Sequence, residues 1–182
     1  MKRFMTGNIM LIACCLFYLA WWLIAFKPEG AVKGMKSGWL LIPAVIFGVG
    51  AVLSITAGIS STDKSLMLIG PMKIVAAGVI AYIVLLIATY LLMKRPVTTE
   101  LFLIVGWATL ASCEISALYG RGIYSHTGAF VFIALILILA IISLVCYLLY
   151  YNLGTVAGYY DGIIPLAIIA IAMAIMCITM RS

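Results

Sequence analysis

Charged residues are scarce in this chain, and their scarcity excludes a soluble globular protein. Asp, Glu, Lys and Arg together make up 9% of the 182 residues, whereas roughly a quarter of the residues of a soluble domain are charged. Hydrophobic residues make up 67% of the chain, and the mean hydropathy is +1.31. The composition therefore predicts an integral membrane protein whose function lies in or across the bilayer.

Groups that catalyse reactions are equally scarce. The sequence has one histidine, His126, and five acidic residues. It contains no H-E-x-x-H motif, no G-x-S-x-G motif and no nucleotide-binding loop. A mechanism that needs an acid, a base and a nucleophile is poorly supplied, so we expect no enzyme, no catalytic residue and no cofactor. His126 is interpreted as a surface residue, with a pH-sensing gate as the alternative.

Neither a metal site nor a disulfide framework is predicted. The five cysteines all lie in apolar runs and lack the spacing of metal ligands: Cys14, Cys15, Cys113, Cys146 and Cys177. We interpret them as small packing residues. The formal net charge of +6 is spread over the ends of the apolar runs, so we expect contact with anionic headgroups of the lipid bilayer and no nucleic-acid partner.

Six apolar runs approach or exceed the length of about 20 residues that crosses a bilayer. They cover about 8–26, 38–60, 68–93, 98–119, 128–151 and 160–180. The run "FVFIALILILAIISLV" is continuously apolar, whereas the strands of a membrane barrel alternate apolar and polar residues. We therefore predict an all-α integral membrane protein in which residues 1–182 form a single six-helix transmembrane domain.

The two halves of the chain are spaced alike. Their second helices open with "SGWLLIPAVIFG" and "TGAFVFIALILI", and their third helices open with "IGPMKIVAAG" and "YDGIIPLAIIA", at similar separations. This spacing predicts two repeats, 8–93 and 98–180. Three spans in each repeat invert the second half relative to the first, an architecture of many channels and transporters. Chance similarity between apolar segments is the alternative.

The basic residues weakly favour one orientation. With the amino terminus inside, the inner flanks carry Lys2, Arg3, Lys64, Lys73, Arg121 and Arg181, and the outer flanks carry Lys27, Lys33, Lys36, Lys94 and Arg95. This near balance decides little under the positive-inside rule. Because Lys2 and Arg3 flank the first helix, we expect both termini in the cytoplasm, in a bacterial or archaeal cell membrane.

Small residues at helical spacing predict close helix packing. Gly50, Ser54 and Gly58 recur at every fourth position of the second span, a pattern that lets a neighbouring backbone approach. Ala77 and Ala81 offer a similar face in the third span. The alternative is that glycine and alanine are simply common in membrane helices.

Glu114 is the most conspicuous polar residue, because it lies inside the apolar run "WATLASCEISALYG". An ionised side chain at the bilayer centre costs at least about 3 kcal/mol on insertion scales, so it needs a partner, a proton or a water-filled cavity. We expect Glu114 to face the interior of the bundle as part of a solute path. The alternative is a structural ion pair with Lys73 or Arg121.

Asp161 and four aromatic residues complete the predicted solute path. Asp161 precedes "GIIPL" at the mouth of the last span, where a capping carboxylate in the first helical turn is the alternative. The candidate constriction aromatics are Trp107, Trp21, Trp22 and Tyr82. Trp21 and Trp22 point about 100° apart on a helix. At least one of them is expected to belong to an interfacial belt.

Six spans in a short chain, the pair Gly70–Pro71 opening the third span and the pair Asp161–Gly162 opening the sixth resemble the acid-gated urea and amide channel family. The acetate and succinate permease family has a similar layout. Either resemblance implies two inverted three-helix halves around a solute path, protomers in a hexameric ring and Asp161 as a pore-mouth acid. The chain departs from both families, since it has "TGNIMLIA" instead of N-P-x-x-L-G and no tryptophan in the fifth span.

These observations predict a membrane channel or transporter for a small polar solute, either urea or a short amide or a short-chain carboxylate such as acetate. Such a protein needs only a lined path, a constriction and a few polar groups. The alternative is a non-transporting membrane subunit whose polar residues bind a partner protein or a lipid. An intramembrane enzyme has the least support.

Overall fold

The computed structural model describes residues 1–28, 37–94, 99–150 and 152–181. The α-helices in these ranges are α1 (Lys2–Ala25), α2 (Leu41–Ser60), α3 (Pro71–Met93), α4 (Thr99–Gly120), α5 (His126–Tyr150), α6 (Thr155–Asp161) and α7 (Ile163–Thr179), and a 3-10 turn, Ser37–Leu40, precedes α2. Of the predicted basic flanks, Lys33, Lys36 and Arg95 lie outside the described residues.

Six segments of the described chain are long and apolar enough to cross a membrane. Five of them are α1 to α5, with the 3-10 turn extending α2, and the sixth runs through α6 and α7 over Thr155–Thr179. The described ranges contain no strand. The prediction of an all-α membrane protein with six spans is confirmed, whereas the inverted relation between its halves stays a prediction.

The predicted start of the first span differs from the observed helix. The first span was expected to start near residue 8, but α1 begins at Lys2. Gly7 lies directly against α2, where a Cβ atom on Gly7 would be 3.2 Å from the carbonyl oxygen of Ala51. The polar residue Asn8 is fully buried. The helix therefore continues through "TGN", of which Gly7 and Asn8 are buried and Thr6 is exposed.

Local chemistry explains where several helices begin and end. Pro71 occupies the first turn of α3 after the N-cap Gly70, a position where the missing N–H of proline costs nothing. At the other end of α3, Lys94 adopts the left-handed conformation with φ 53° and donates its backbone N–H to the carbonyl of Tyr90. After α4 the chain turns at Gly122, whose φ is +73°.

The described chain divides into two compact units, of which the first contains residues Met1–Ala57 and Val145–Ser182. Within this unit α1 packs along both α2 and α7. The rings of Phe17 and Phe47 stack with centroids 5.7 Å apart. The Ser54 hydroxyl donates to the carbonyl of Arg3 at 2.8 Å. Gly50 lies against the Met10 side chain, so two residues of the predicted small-residue stripe face α1.

The second unit contains residues Gly58–Leu144, and its helix packing centres on α3 and α4. The two helices are in contact at Gly78, where a Cβ atom would collide with the Thr109 side chain. Ala77 and Ala81, the predicted packing residues of this helix, lie beside that contact and line an open groove. Gly58 accepts hydrogen bonds at its carbonyl from residues of the second unit.

A short link joins α2 to α3 and is fastened to α4. The Ser116 hydroxyl accepts from the backbone N–H of Ile69 at 2.9 Å and donates to its carbonyl at 2.7 Å. In the same link, the backbone N–H and hydroxyl of Ser65 donate to Oδ1 of Asp63. Both bonds lower the pKa of the Asp63 carboxyl below its usual range, and the bond from the Ser65 backbone N–H has the larger effect. These polar groups of the link are therefore hydrogen-bonded within the link itself or to Ser116 of α4.

The contact at Gly78 generates a prediction with a matched control. Gly78→Ala should lower the free energy of unfolding by about 1–3 kcal/mol, because the new methyl group collides with Thr109. Thr109 has little freedom to move away, since its hydroxyl donates to the carbonyl of Val105 at 2.7 Å. Chemical denaturation in detergent micelles measures the change.

Gly106 supplies the control, because nothing lies within 4 Å of its Cβ position. Gly106→Ala should leave stability unchanged or raise it by up to about 1 kcal/mol through helix propensity. Equal effects of the two substitutions would show that α3 and α4 do not approach at Gly78.

Candidate functional site

Glu114 lies in the second half of α4, the most buried span of the described chain. In the α4 span 67% of the residues are buried, against 22% or less in each of the other five spans. The eight residues 111–118 are all buried, and the Glu114 side chain has an exposed fraction of 0%. Small neighbours such as Ser112 and Ser116 leave room for helices to approach on several sides. The carboxyl group is therefore held within protein, as its cost in hydrocarbon requires.

The proposed structural pairing of Glu114 with Lys73 is wrong. The Lys73 side chain is exposed in the first turn of α3 and makes no ion pair with any residue of the described chain. The other proposed partner, Arg121, donates from Nε to the Thr62 hydroxyl at 2.8 Å and from a terminal nitrogen to the Ser61 hydroxyl at 2.8 Å and the Gly58 carbonyl at 3.1 Å. These bonds attach the end of α4 to the end of α2 and the link that follows it.

Trp107 shares a helix face with Glu114. The two residues are seven positions apart, which places them about 20° apart around α4 and about 10 Å apart along its axis. The Trp107 side chain is only 7% exposed, and its indole N–H is buried with no hydrogen-bond partner in the described ranges. Ala111 lies between them and is also buried. The face thus presents a donor, a small side chain and a carboxyl group in that order.

Asp161 is the second carboxyl group inside a span. It is the last residue of α6 and is 9% exposed. The Cys146 side chain of α5 makes a hydrogen bond with it, and its Oδ2 atom is buried without a partner in the described part of the chain. The capping interpretation is wrong, because neither α6 nor α7 has an acidic residue in its first turn or a side-chain cap. The last span was predicted to start near residue 160, but its helix begins five residues earlier, at Thr155.

Trp22 packs on the junction between α6 and α7. A Cβ atom on Gly162 would lie 2.8 Å from Cε2 of the Trp22 indole, so only a residue without a side chain fits there. The indole Nε1 donates to the carbonyl of Tyr159 at 3.1 Å, and the Tyr159 hydroxyl donates to the carbonyl of Leu23 at 3.2 Å. The end of α1 is therefore held at this junction, next to Asp161 in sequence.

The other predicted aromatics have different surroundings. Trp21 makes edge contacts with Tyr18 and Phe26, at centroid distances of 5.2 and 5.4 Å. Phe26 also stacks on Trp22, with centroids 4.4 Å apart, so the two tryptophans share this neighbour although they point in different directions around α1. Tyr82 packs edge to face on Phe102, whose ring is 62% exposed. Trp107 and Glu114 are thus together on α4, Trp22 lies at the α6–α7 junction, and Tyr82 belongs to the exposed side of α3.

Two residues near Asp161 were not predicted from the sequence to belong to the candidate site. Cys146 was interpreted as a packing residue, and Gly162 was noted only as part of an acid–glycine pair. Cys146 and Asp161 lie on different helices and 15 positions apart in the numbering (161 − 146), so no local pattern connects them. In the described residues no group of three or more His, Cys, Asp or Glu side chains is placed to hold a metal ion.

Comparison of the chain with protein-family models, with curated proteins and with solved structures yields no match. The functional argument therefore rests on the geometry of the chain itself.

The Trp22 contact predicts unequal effects for two neighbouring tryptophans. Trp22→Phe removes the hydrogen bond to the Tyr159 carbonyl and should lower the free energy of unfolding by about 0.5–1.5 kcal/mol beyond the loss of ring volume. Trp21→Phe removes the same atoms from a ring with no such bond in the described ranges, so it serves as the control. Thermal unfolding of both variants in the same detergent measures the difference, and equal losses would contradict the role of this bond.

Proposed function

We propose that this protein is a channel or carrier that conducts a small polar solute through its helix bundle, with Glu114 facing the solute. The observation that carries the proposal is a fully buried carboxyl group in the most buried of the described spans, on the same helix face as the Trp107 N–H, which has no hydrogen-bond partner among the described residues. Ionisable residues within membrane spans are expensive and are retained mainly at transport paths and relays.

The last span supports the same proposal. Asp161 lies within this span, and one of its carboxylate oxygens is buried without a partner in the described residues. The helical backbone continues through Gly162, whose N–H donates to the Gly158 carbonyl at 3.0 Å. A buried ionisable residue within a span is typical of a transport path. Glu114 and Asp161 are each buried within a span of their own compact unit.

The charges of the two candidate residues favour one class of solute. Carboxylates accept hydrogen bonds from N–H groups and repel anions. The Trp107 indole N–H, by contrast, can only donate a hydrogen bond, so it pairs with an acceptor such as a carbonyl oxygen. Urea and short amides carry both a carbonyl oxygen and N–H groups, so we propose them ahead of acetate as the solute.

The proposed topology and assembly follow the predictions from the sequence. We propose that both termini lie in the cytoplasm, since an even number of spans would put them on one side of the membrane and Lys2 and Arg3 flank α1. By the resemblance to the urea and amide channels, each protomer encloses its own path and the protomers assemble as a homo-oligomer.

Glu114→Gln tests the proposal, because it keeps the shape of the side chain and removes its charge. The variant should fold and should reduce the flux of urea into proteoliposomes about 10-fold or more, since a hydrogen bond to a charged group contributes roughly 1.5–3 kcal/mol. Stopped-flow light scattering on proteoliposomes of equal protein content measures the flux.

Glu100→Gln is the matched control, since Glu100 is an exposed acid in the first turn of the same helix. Its flux should equal that of the unsubstituted protein. Loss of thermal stability in Glu114→Gln with unchanged flux per molecule would make Glu114 structural. Absence of urea, formamide and acetate flux in the unsubstituted protein would favour the alternative of a subunit that binds a partner protein or a lipid.

A further inference from the structure

An open groove lies on the second unit. It has a volume of about 500 Å³ and lies between α3 and α5, with α4 as its floor. This volume is in the range of roughly 300–1,000 Å³ that is usual for ligand pockets. Its walls are apolar side chains, apart from Lys73, Thr109 and Ser112. We refer to it as the Lys73 groove.

The polar groups of the Lys73 groove are concentrated at one end. Lys73 lies in the first turn of α3, and Ser112 lies in the half of α4 that packs against that turn, where the Cys113 thiol approaches the Pro71 carbonyl at 4.0 Å. The Lys73 ammonium makes no ion pair and the Ser112 hydroxyl no hydrogen bond within the described residues. Thr109 is already satisfied by the Val105 carbonyl. The end at Lys73 therefore offers an uncompensated cation and a free hydroxyl to an anionic group.

The length of the groove matches one leaflet of a bilayer. Along α3 it extends from Lys73 to Leu85, which is twelve residues and about 18 Å of helix. Half of the hydrocarbon core is about 15 Å thick, and a spanning helix crosses all of its roughly 30 Å. An acyl chain whose headgroup lies at Lys73 thus fits the groove from end to end, whereas a helix of a second copy would extend well beyond it.

We propose that the Lys73 groove binds an anionic phospholipid, with one acyl chain along α4 and the phosphate at the Lys73 ammonium. A neutral lipid leaves the ammonium unpaired, so the anionic headgroup is preferred. The N-terminal end of α3 adds a favourable dipole for the phosphate. This inference is independent of solute transport, since none of the groove residues named here belongs to the face that carries Trp107 and Glu114.

The experiment compares the full-length protein in phosphatidylcholine nanodiscs with and without phosphatidylglycerol. Thermal unfolding midpoints and the lipid retained in native mass spectrometry are measured. Phosphatidylglycerol should raise the midpoint of the unsubstituted protein and should be the retained lipid. Lys73→Gln should reduce its retention about fivefold, the value of one basic residue near an anionic surface.

Two matched pairs of variants locate the lipid. Ala77 lines the groove and Ala76 does not, although both are exposed on α3, so Ala77→Phe should abolish the phosphatidylglycerol effect and Ala76→Phe should preserve it. Lys64 is an exposed lysine in the link outside the groove, and Lys64→Gln should also preserve the effect.

Each contrary result overturns the proposal. If Lys64→Gln weakens retention as much as Lys73→Gln, the attraction is general surface charge. If Ala77→Phe retains phosphatidylglycerol normally, no chain occupies the groove. If glycerol phosphate alone reproduces the shift, the site takes an anion without a chain. If the unsubstituted protein is an oligomer that Ala77→Phe dissociates, the groove is an interface with a second copy.

Discussion

Hydrocarbon offers no hydrogen-bond partner, and this constraint shapes every polar group of the protein. Backbone groups are satisfied within helices, and the link between α2 and α3 is satisfied by Ser116 and by its own side chains. Arg121 meets the carbonyl of Gly58 and two hydroxyls at the end of α4. Near the end of α6, the Tyr159 carbonyl accepts a hydrogen bond from the Trp22 indole N–H.

Two carboxyl groups, those of Glu114 in α4 and Asp161 at the end of α6, are buried within the described spans. Replacing a buried polar side chain by an apolar one of similar shape is often neutral or stabilising. Under the proposed function, a solute that exchanges hydrogen bonds with these groups would account for their presence. The buried indole N–H of Trp107, which has no hydrogen-bond partner in the described residues, would donate to the same solute.

Small residues determine which surfaces close and which stay open. Gly78 brings α3 against Thr109, and Gly162 brings the last span against the Trp22 ring. Ala77 and Gly78 both line the Lys73 groove. Small residues on this helix thus permit the contact with Thr109 and also leave the open space beside it.

The sequence alone determined the membrane location, the all-α class and the six spans, because each span needs only a run of apolar residues and hydropathy is a local property. It also singled out Glu114 and Asp161, since a charge in such a run is conspicuous. The start of α1 at Lys2, the contact of Trp22 with Gly162, the bond between Cys146 and Asp161 and the Lys73 groove were decided by tertiary structure. Each of them depends on which side chain of another helix lies opposite, and the near-uniform apolar faces of membrane helices do not encode that pairing locally.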